Sequence, residues 1–301
     1  MKLVRFGAAG AERPGIVNAD GGISDLSGVI PDVAGAALTP ESLKKLASLD
    51  LAKLPKAAAG SRLGACVGDV GKFIAIGLNY ADHAAETGAK IPAEPIVFMK
   101  ATSCIVGPHD TVLKPRGSTK MDWEVELGVV IGSVTRYVSE AEAPKHIAGY
   151  CVINDLSERA FQLERGGQWD KGKGCDTFGP IGPWLVTSDE VGDAANLSMW
   201  LDVNGTRRQN GSTKTMIFKP AFLVHYLSQF MSLHPGDVIT TGTPPGVGMG
   251  IKPNPIFLNA ATSWSWASRS SARSVRSWRR PRCRVGKVGK ATRSGMARDL
   301  T

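Results

Sequence analysis

The sequence predicts a strand-dominated α+β protein, and three observations support that fold class. From Lys72 onward, short apolar runs alternate with turns rich in Gly, Pro and Asn, which is typical of strands. The regular alternation of strands and helices that marks a doubly wound parallel sheet is missing. Hydrophobic residues make up 43% of the 301 positions, enough to build a packed core and to exclude disorder of the whole chain.

These elements divide the chain into a small N-terminal α+β domain, residues 1–68, and a larger domain, residues 69–258. In the small domain we expect a helix at 40–47 and strands at 2–6, 15–17 and 22–25. In the large domain we expect a helix at 220–230 and seven strands, at 72–78, 95–100, 125–132, 147–155, 182–187, 198–205 and 237–242.

Basic charge is concentrated at the end of the sequence. The whole chain has a formal charge of +9, but residues 260–301 contain eleven Lys and Arg and one Asp, a net charge of +10. The rest of the chain therefore carries a net charge of −1. The body of the protein gives no reason to expect an acidic partner such as nucleic acid or a membrane surface.

The basic tail, residues 259–301, has no helical or strand periodicity and interleaves Trp with Arg and Ser. It is open to three interpretations: an arm that binds nucleic acid, a solvated disordered tail, and a segment translated in a shifted reading frame. Joining the last base of each codon to the next two permits Gly-Asp-Val-Met-Glu-Leu-Gly-Ile-Glu over residues 260–269, which alternates like a half-buried strand. We favour the shifted frame, then the disordered tail, and nucleic-acid binding last.

Three acidic residues are candidates for a metal site. Glu124 and Glu126 lead into the apolar run at 128–132 and project from one face of a strand. On spacing alone, a solvated face explains this pair better than a metal site does. Asp155, however, ends the next apolar run at 147–155. Three carboxylates from two neighbouring strands would form an oxygen-only site suited to Mg²⁺, Mn²⁺ or Ca²⁺.

A histidine and an acid follow the strand at 72–78. His83 and Glu86 are three residues apart in an expected short helix, where the carboxylate can orient the imidazole. An isolated histidine–glutamate pair of this kind is more often a surface salt bridge.

A further helix is expected to continue from Asp155, with Arg159 and Gln162 on one side of it. The guanidinium of Arg159 suits the carboxylate of a substrate.

Two glycine-rich segments supply further candidates. Lys173 is flanked by glycines and could equally be an exposed lysine. The loop at 240–248, which contains Thr243, can present backbone N–H groups and hydroxyls to an anion.

Five segments resemble the fumarylacetoacetate hydrolase family in sequence and order over about residues 70–250: GLNYADHAAE, DWEVELGVVIG, NDLSER, GKGCDTFGPIGPW and DVITTGTPPGVG. Residues 1–68 also resemble the small N-terminal domain of many bacterial members. The resemblance implies a mixed β-sandwich roll, a homodimer and one divalent ion, usually Mg²⁺ or Mn²⁺, with Ca²⁺ as a further candidate.

The resemblance also assigns roles to nine residues. It implies Glu124, Glu126 and Asp155 as metal ligands, His83, Glu86 and Lys173 as catalytic residues, and Arg159, Gln162 and Thr243 as substrate-binding residues. The implied reaction is hydrolysis of a carbon-carbon bond in a 2,4-dioxo acid, such as fumarylacetoacetate or a sugar-derived diketo-deoxy acid. Decarboxylation, isomerisation and ureidoglycolate lyase chemistry are alternatives on the same site, and an inactive protein with a nucleic-acid-binding tail is an alternative of another class.

The family continues after its Gly-Val-Gly loop with a closing strand. This sequence departs from the family at Asn259, and the shifted frame recovers that strand, so we expect residues 259–301 to be a frameshifted tail that lacks it. The five cysteines form no CxxC pair, and apolar runs of transmembrane length are absent. We therefore expect a cytoplasmic protein with reduced thiols and no membrane partner.

The shifted frame predicts that one base is missing near codon 259 of the coding DNA. Sequencing that region and measuring the intact mass of the purified protein check this expectation. RNA binding that weakens with salt and is lost on removal of residues 260–301 would instead support the nucleic-acid-binding arm.

Overall fold

A computed structural model describes residues 1–259, 262–269 and 283–287. Helices α1 to α6 span Pro40–Ala47, Ala81–Thr87, Arg159–Leu163, Asp170–Lys173, Ser188–Val191 and Pro220–Ser228. Strands β1 to β9 span Lys2–Phe6, Arg13–Val17, Ile23–Asp25, Phe73–Gly77, Ile96–Lys100, Ile105–Val106, Val112–Lys114, Met121–Asp122 and Val125–Ile131. Strands β10 to β18 span Ile147–Asn154, Ser157–Glu158, Gly179–Pro180, Leu185–Thr187, Ser198–Val203, Thr206–Ser212, Val238–Thr240, Ser263–Arg269 and Cys283–Lys287.

The central feature is a mixed sheet of nine strands in the order β3-β2-β1-β13-β10-β9-β16-β4-β5. Its pairs are antiparallel except for β16 and β4, which run parallel. The N-terminal strands join this sheet through the pairing of β1 with β13, so strands from both sides of residue 68 belong to one sheet. The domain boundary at residue 68 stays a prediction. The strand-dominated α+β fold class is confirmed. The two helices and ten strands for which bounds were predicted occur within three residues of those bounds.

A second sheet has five strands in the order β15-β14-β17-β18-β7. We expected the tail to lack a closing strand, but residues 263–269 form β17, which pairs with β14. Such pairing requires only extended backbone, because the ladder is made by N–H and C=O groups that most residues supply. The shifted reading frame itself stays a prediction, and residues 260–261, 270–282 and 288–301 lie outside the described part of the chain.

The core explains why β4, β9 and β16 are almost continuously apolar: each is buried along its whole length. Such runs are typical of strands covered on both faces. Helix α6 covers one face, where Leu223 and Leu227 pack in one cluster with residues of these strands. None of the described helices is long and apolar enough to cross a membrane.

Asn79 fixes the turn from β4 into α2. Its side chain is fully buried, donates to the carbonyl oxygens of Phe218 (2.9 Å) and Thr241 (2.8 Å), and accepts from the Phe218 N–H (2.7 Å). These three bonds join the start of α2 to the segment before α6 and to the chain after β16. The amide of one residue thus sets the position of the helix that carries His83.

We expect Asn79→Ala to lower the free energy of unfolding by about 3 kcal/mol, because three backbone groups lose their partner in a buried place. Urea unfolding followed by circular dichroism measures this change. Asn18→Ala, at a more exposed side chain that bonds to Ser24, is the control. A loss of less than about 1 kcal/mol for Asn79→Ala would contradict this account.

Candidate active site

Three buried carboxylates meet where β9 begins and β10 ends. The two strands are antiparallel, with Glu126 opposite Ile153, and the Asp155 N–H donates to the Glu124 carbonyl (2.8 Å). One carboxylate oxygen from each of Glu124, Glu126 and Asp155 lies within 4.8 Å of the others. Oxygen ligands at this spacing fit a hard divalent cation, so the triad that the sequence suggested is assembled by strand register.

Two cationic side chains contact this triad. The Lys173 ammonium lies 2.6 Å from Glu124 Oε2 and 2.7 Å from Asp155 Oδ2, and Arg159 Nη2 lies 2.6 Å from Glu124 Oε1. Burial lowers the pKa of Lys173, but the charges of Asp155 and Glu124 outweigh it and raise that pKa above the usual value. Lys173 is therefore a cation in this site and is not available as a base.

The two glutamates differ in their titration. Burial raises the pKa of Glu124, but the Lys173 and Arg159 charges outweigh this effect and hold it at about 2. For Glu126, burial and the neighbouring charges of Asp155 and Glu124 raise the pKa well above its usual value. Glu124 is thus ionised at neutral pH, whereas Glu126 retains a proton more easily.

Lys100, at the end of β5, is a site residue that the sequence analysis missed. Its side chain is fully buried, and its ammonium lies 2.6 Å from Asp155 Oδ1 and contacts the carbonyl oxygens of Leu156 and Lys173. It therefore holds one oxygen of Asp155 while the other faces Lys173. A lysine within a strand that is otherwise apolar was the signal that could have identified it.

The predicted histidine–acid pair is present on α2. His83 Nδ1 lies 2.9 Å from Glu86 Oε2, and His83 is largely buried whereas Glu86 is partly exposed. Since a carboxylate accepts hydrogen bonds, Nδ1 carries the proton and Nε2 is left as the basic nitrogen.

Arg159 and Gln162 lie on α3, which begins at Arg159 itself, so the helix does not continue from Asp155 as we expected. Arg159 Nη1 donates to Gln162 Oε1 (3.1 Å). Its Nε and Nη2 each lie 2.8 Å from Asp122 Oδ2. The guanidinium is thus oriented by acidic side chains of the protein itself. Asp122, like Lys100, is a residue of the site that the sequence analysis missed.

The loop after β16 does bind anions with its N–H groups, and those anions are carboxylates of the protein. Gly242 N–H and the Thr240 hydroxyl donate to Glu126, and Gly246 N–H donates to Glu86 (3.0 Å). Thr243 donates its hydroxyl hydrogen to the Val125 carbonyl (2.9 Å) and accepts from Gln209 (2.7 Å). The same hydroxyl therefore retains only acceptor capacity for a substrate.

A cavity of about 190 Å³ lies over these groups. All the predicted site residues except Glu86 line it, together with apolar residues that include Leu78, Phe98, Trp169 and Met249. The Phe98 and Trp169 rings meet edge to face with centroids 5.3 Å apart. The volume is below the roughly 300–1,000 Å³ of pockets for drug-sized ligands, which favours a small substrate.

The comparison with known families agrees with this geometry. The model of the C-terminal part of fumarylacetoacetate (FAA) hydrolase matches residues 72–274. The chain belongs to the fumarylacetoacetate hydrolase family. The matched range of this FAH-family protein contains Glu124, Glu126 and Asp155.

Relatives and solved structures extend the match over most of the chain. A curated protein of Burkholderia ambifaria, provisionally named a hydrolase, is 63% identical over 260 residues, covering 86% of this chain and 92% of the relative. Fumarylacetoacetate hydrolase from Exiguobacterium antarcticum is 32% identical with a TM-score of 0.79, covering 96% of this chain and 100% of that one. Maleylpyruvate hydrolase from Sphingobium sp. SYK-6, solved with manganese(II) and pyruvate, is 26% identical with a TM-score of 0.76, covering 95% and 99%.

The raised pKa of Glu126 predicts that the affinity of the metal-free protein for Mn²⁺ rises with pH. Below that pKa Glu126 is protonated, and a cation must displace the proton, so affinity should increase about tenfold per pH unit. Calorimetric titration with Mn²⁺ in buffers of different ionisation enthalpy measures the released proton. Glu126→Gln should abolish proton release, and an affinity independent of pH in the unaltered protein would contradict this interpretation.

Proposed function

We propose that this FAH-family protein is a divalent-metal-dependent hydrolase that cleaves a carbon-carbon bond in a 2,4-dioxo acid of the acylpyruvate type. The observation that supports this proposal best is the common cavity lined by the carboxylate triad, His83 and Lys173. A 2,4-dioxo acid offers a carboxylate and a 2-oxo oxygen to a cation, and a 4-carbonyl to a nucleophile. The proposal includes Mg²⁺ or Mn²⁺ as the ion and a homodimer as the assembled form.

The charged groups of the cavity favour binding of the acid end of such a substrate. Bound by the triad, a divalent cation supplies a Lewis acid for the negative charge that develops at the 2-oxo oxygen. Arg159 and Gln162 line the same cavity and provide donors for the substrate carboxylate. Arg159 is already oriented by Asp122, so it need not be ordered when the substrate binds.

His83 is the group suited to activate water. Nδ1 is held by Glu86, so Nε2 accepts the proton of a water molecule that adds to the 4-carbonyl carbon. Lys173, whose pKa is raised, keeps its protons and stabilises the negative oxygen that forms at C4. The two residues thus have distinct roles, one accepting a proton and one supplying positive charge.

Cleavage follows when the 4-carbonyl forms again. The bond between C3 and C4 breaks, and its electron pair passes to C3 of the pyruvate fragment, delocalised towards the 2-oxo oxygen. The proton held by His83 is then available to C3. Water has thereby contributed its hydroxyl to the acyl fragment and a hydrogen to the other, so the products are a carboxylic acid and pyruvate.

We expect His83→Ala to lower kcat for acetylpyruvate hydrolysis about 10²- to 10⁴-fold, with Mn²⁺ affinity retained because His83 is not one of the triad. Glu124→Ala should lose both activity and metal affinity. Quantifying pyruvate and acetate separates hydrolysis from its alternatives, since decarboxylation releases CO₂ and isomerisation leaves the carbon chain whole. Unchanged hydrolysis in both variants would refute the assignment.

A further inference from the structure

The loop of residues 246–249 holds two carboxylates of the site at once. Gly246 N–H donates to Glu86 Oε1 (3.0 Å), the acid that orients His83. Two residues on, Gly248 N–H donates to Asp122 Oδ1 (2.7 Å) and Met249 N–H to Asp122 Oδ2 (3.1 Å). This 246–249 loop therefore connects the histidine pair to an acid that lies on β8.

Asp122 in turn orients the arginine of the cavity. It is fully buried, and its Oδ2 lies 2.8 Å from both Nε and Nη2 of Arg159. Asp122 does not line the cavity and is not one of the three triad carboxylates. Its hydrogen bonds connect it to the cavity through Arg159 and through the 246–249 loop.

The 246–249 loop is packed too closely to move freely. A Cβ on Gly246 would lie 2.0 Å from the Arg208 carbonyl oxygen, and one on Gly248 would lie 2.0 Å from that of Ile256. Gly246 also has a φ of +105°, a conformation that favours glycine. The Trp123 indole N–H also donates to the Gly246 carbonyl (3.0 Å). These close contacts leave little space around Gly246 and Gly248.

We propose that Asp122 is a positioning residue, and that the 246–249 loop couples the orientation of Arg159 to that of the His83–Glu86 pair. The reaction through which this coupling is measured rests on the proposed function. The substrate anchor and the proton acceptor are then placed by one shared element, so loosening either attachment disturbs both.

A double-mutant cycle with Asp122→Asn and Glu86→Gln tests this coupling in the Mn²⁺-loaded protein. Because each change loosens the same loop, the loss of kcat/KM in the double variant should be at least about fivefold smaller than the product of the single losses. Asp237→Asn is the matched control: Asp237 is also buried and paired with a cation, Lys72, but it does not contact the loop. The losses of kcat/KM caused by Asp237→Asn and by Glu86→Gln should multiply in the variant that carries both changes. Multiplication in both cycles would overturn the proposal.

Pyruvate binding, measured by calorimetry, provides a readout that does not require catalysis. Asp122→Asn should weaken it about tenfold through misorientation of Arg159, whereas a purely electrostatic role predicts tighter binding, since a negative charge is lost. Unchanged or tighter binding overturns the positioning role. Weaker binding without cleavage of any 2,4-dioxo acid refutes the proposed function and leaves the positioning role standing.

Should Asp122→Asn fail to fold, Trp123→Phe provides a milder variant. It removes the N–H that Gly246 accepts and retains an aromatic ring in the same place. In a double-mutant cycle with Glu86→Gln, the combined loss of kcat/KM should again be smaller than the product of the single losses, by a smaller factor than for Asp122→Asn. Effects of Trp123→Phe and Glu86→Gln that multiply would overturn the coupling through the loop.

Discussion

The site depends on one constraint: the carboxylates of Asp122, Glu124, Glu126 and Asp155 are buried near one another. A buried carboxylate is costly unless it is paired with a cation or accepts several hydrogen bonds. Glu124 and Asp155 each contact two cationic side chains, and Asp122 contacts a guanidinium and three backbone N–H groups. Glu126 accepts from a hydroxyl and one N–H, both neutral. Of these four carboxylates, Glu126 is therefore the one that has no cationic side chain in contact.

This difference in partners explains the opposite pKa shifts of two glutamates only two positions apart, Glu124 just before β9 and Glu126 within it. The cations beside Glu124 lower its pKa, whereas Glu126 has carboxylates nearby and a raised pKa. A divalent cation at the triad would supply the missing positive charge where the protein has none in contact. Metal affinity and the protonation of Glu126 are then two aspects of the same electrostatic balance.

Local patterns predicted the parts of this arrangement that neighbours in sequence determine. Glu124 with Glu126 and His83 with Glu86 could be identified as pairs, because strand and helix geometry places such residues on one side of their element. Spacing alone favoured a solvated face for the first pair and a surface salt bridge for the second, and it was the family resemblance that favoured a site. Lys100 and Asp122 were missed because their partners are 55 and 37 positions away, across elements whose pairing the sequence does not state. The loop after β16 was expected to bind an anion, but only the packed structure shows that its anions are the protein's own acids.

The basic tail affects the site indirectly, through the second sheet. The Leu258 N–H donates to the Met121 carbonyl (2.7 Å), so the chain is fastened beside the site before the tail begins. Strands β17 and β18 then extend the second sheet and contain none of the site residues. A sheet draws stability from side chains on its faces as well as from its ladder, so altered tail side chains would weaken that sheet first. Since Gln209 on β15 of this sheet donates to Thr243 (2.7 Å), the effect would reach the site at Thr243 and leave the buried charges paired.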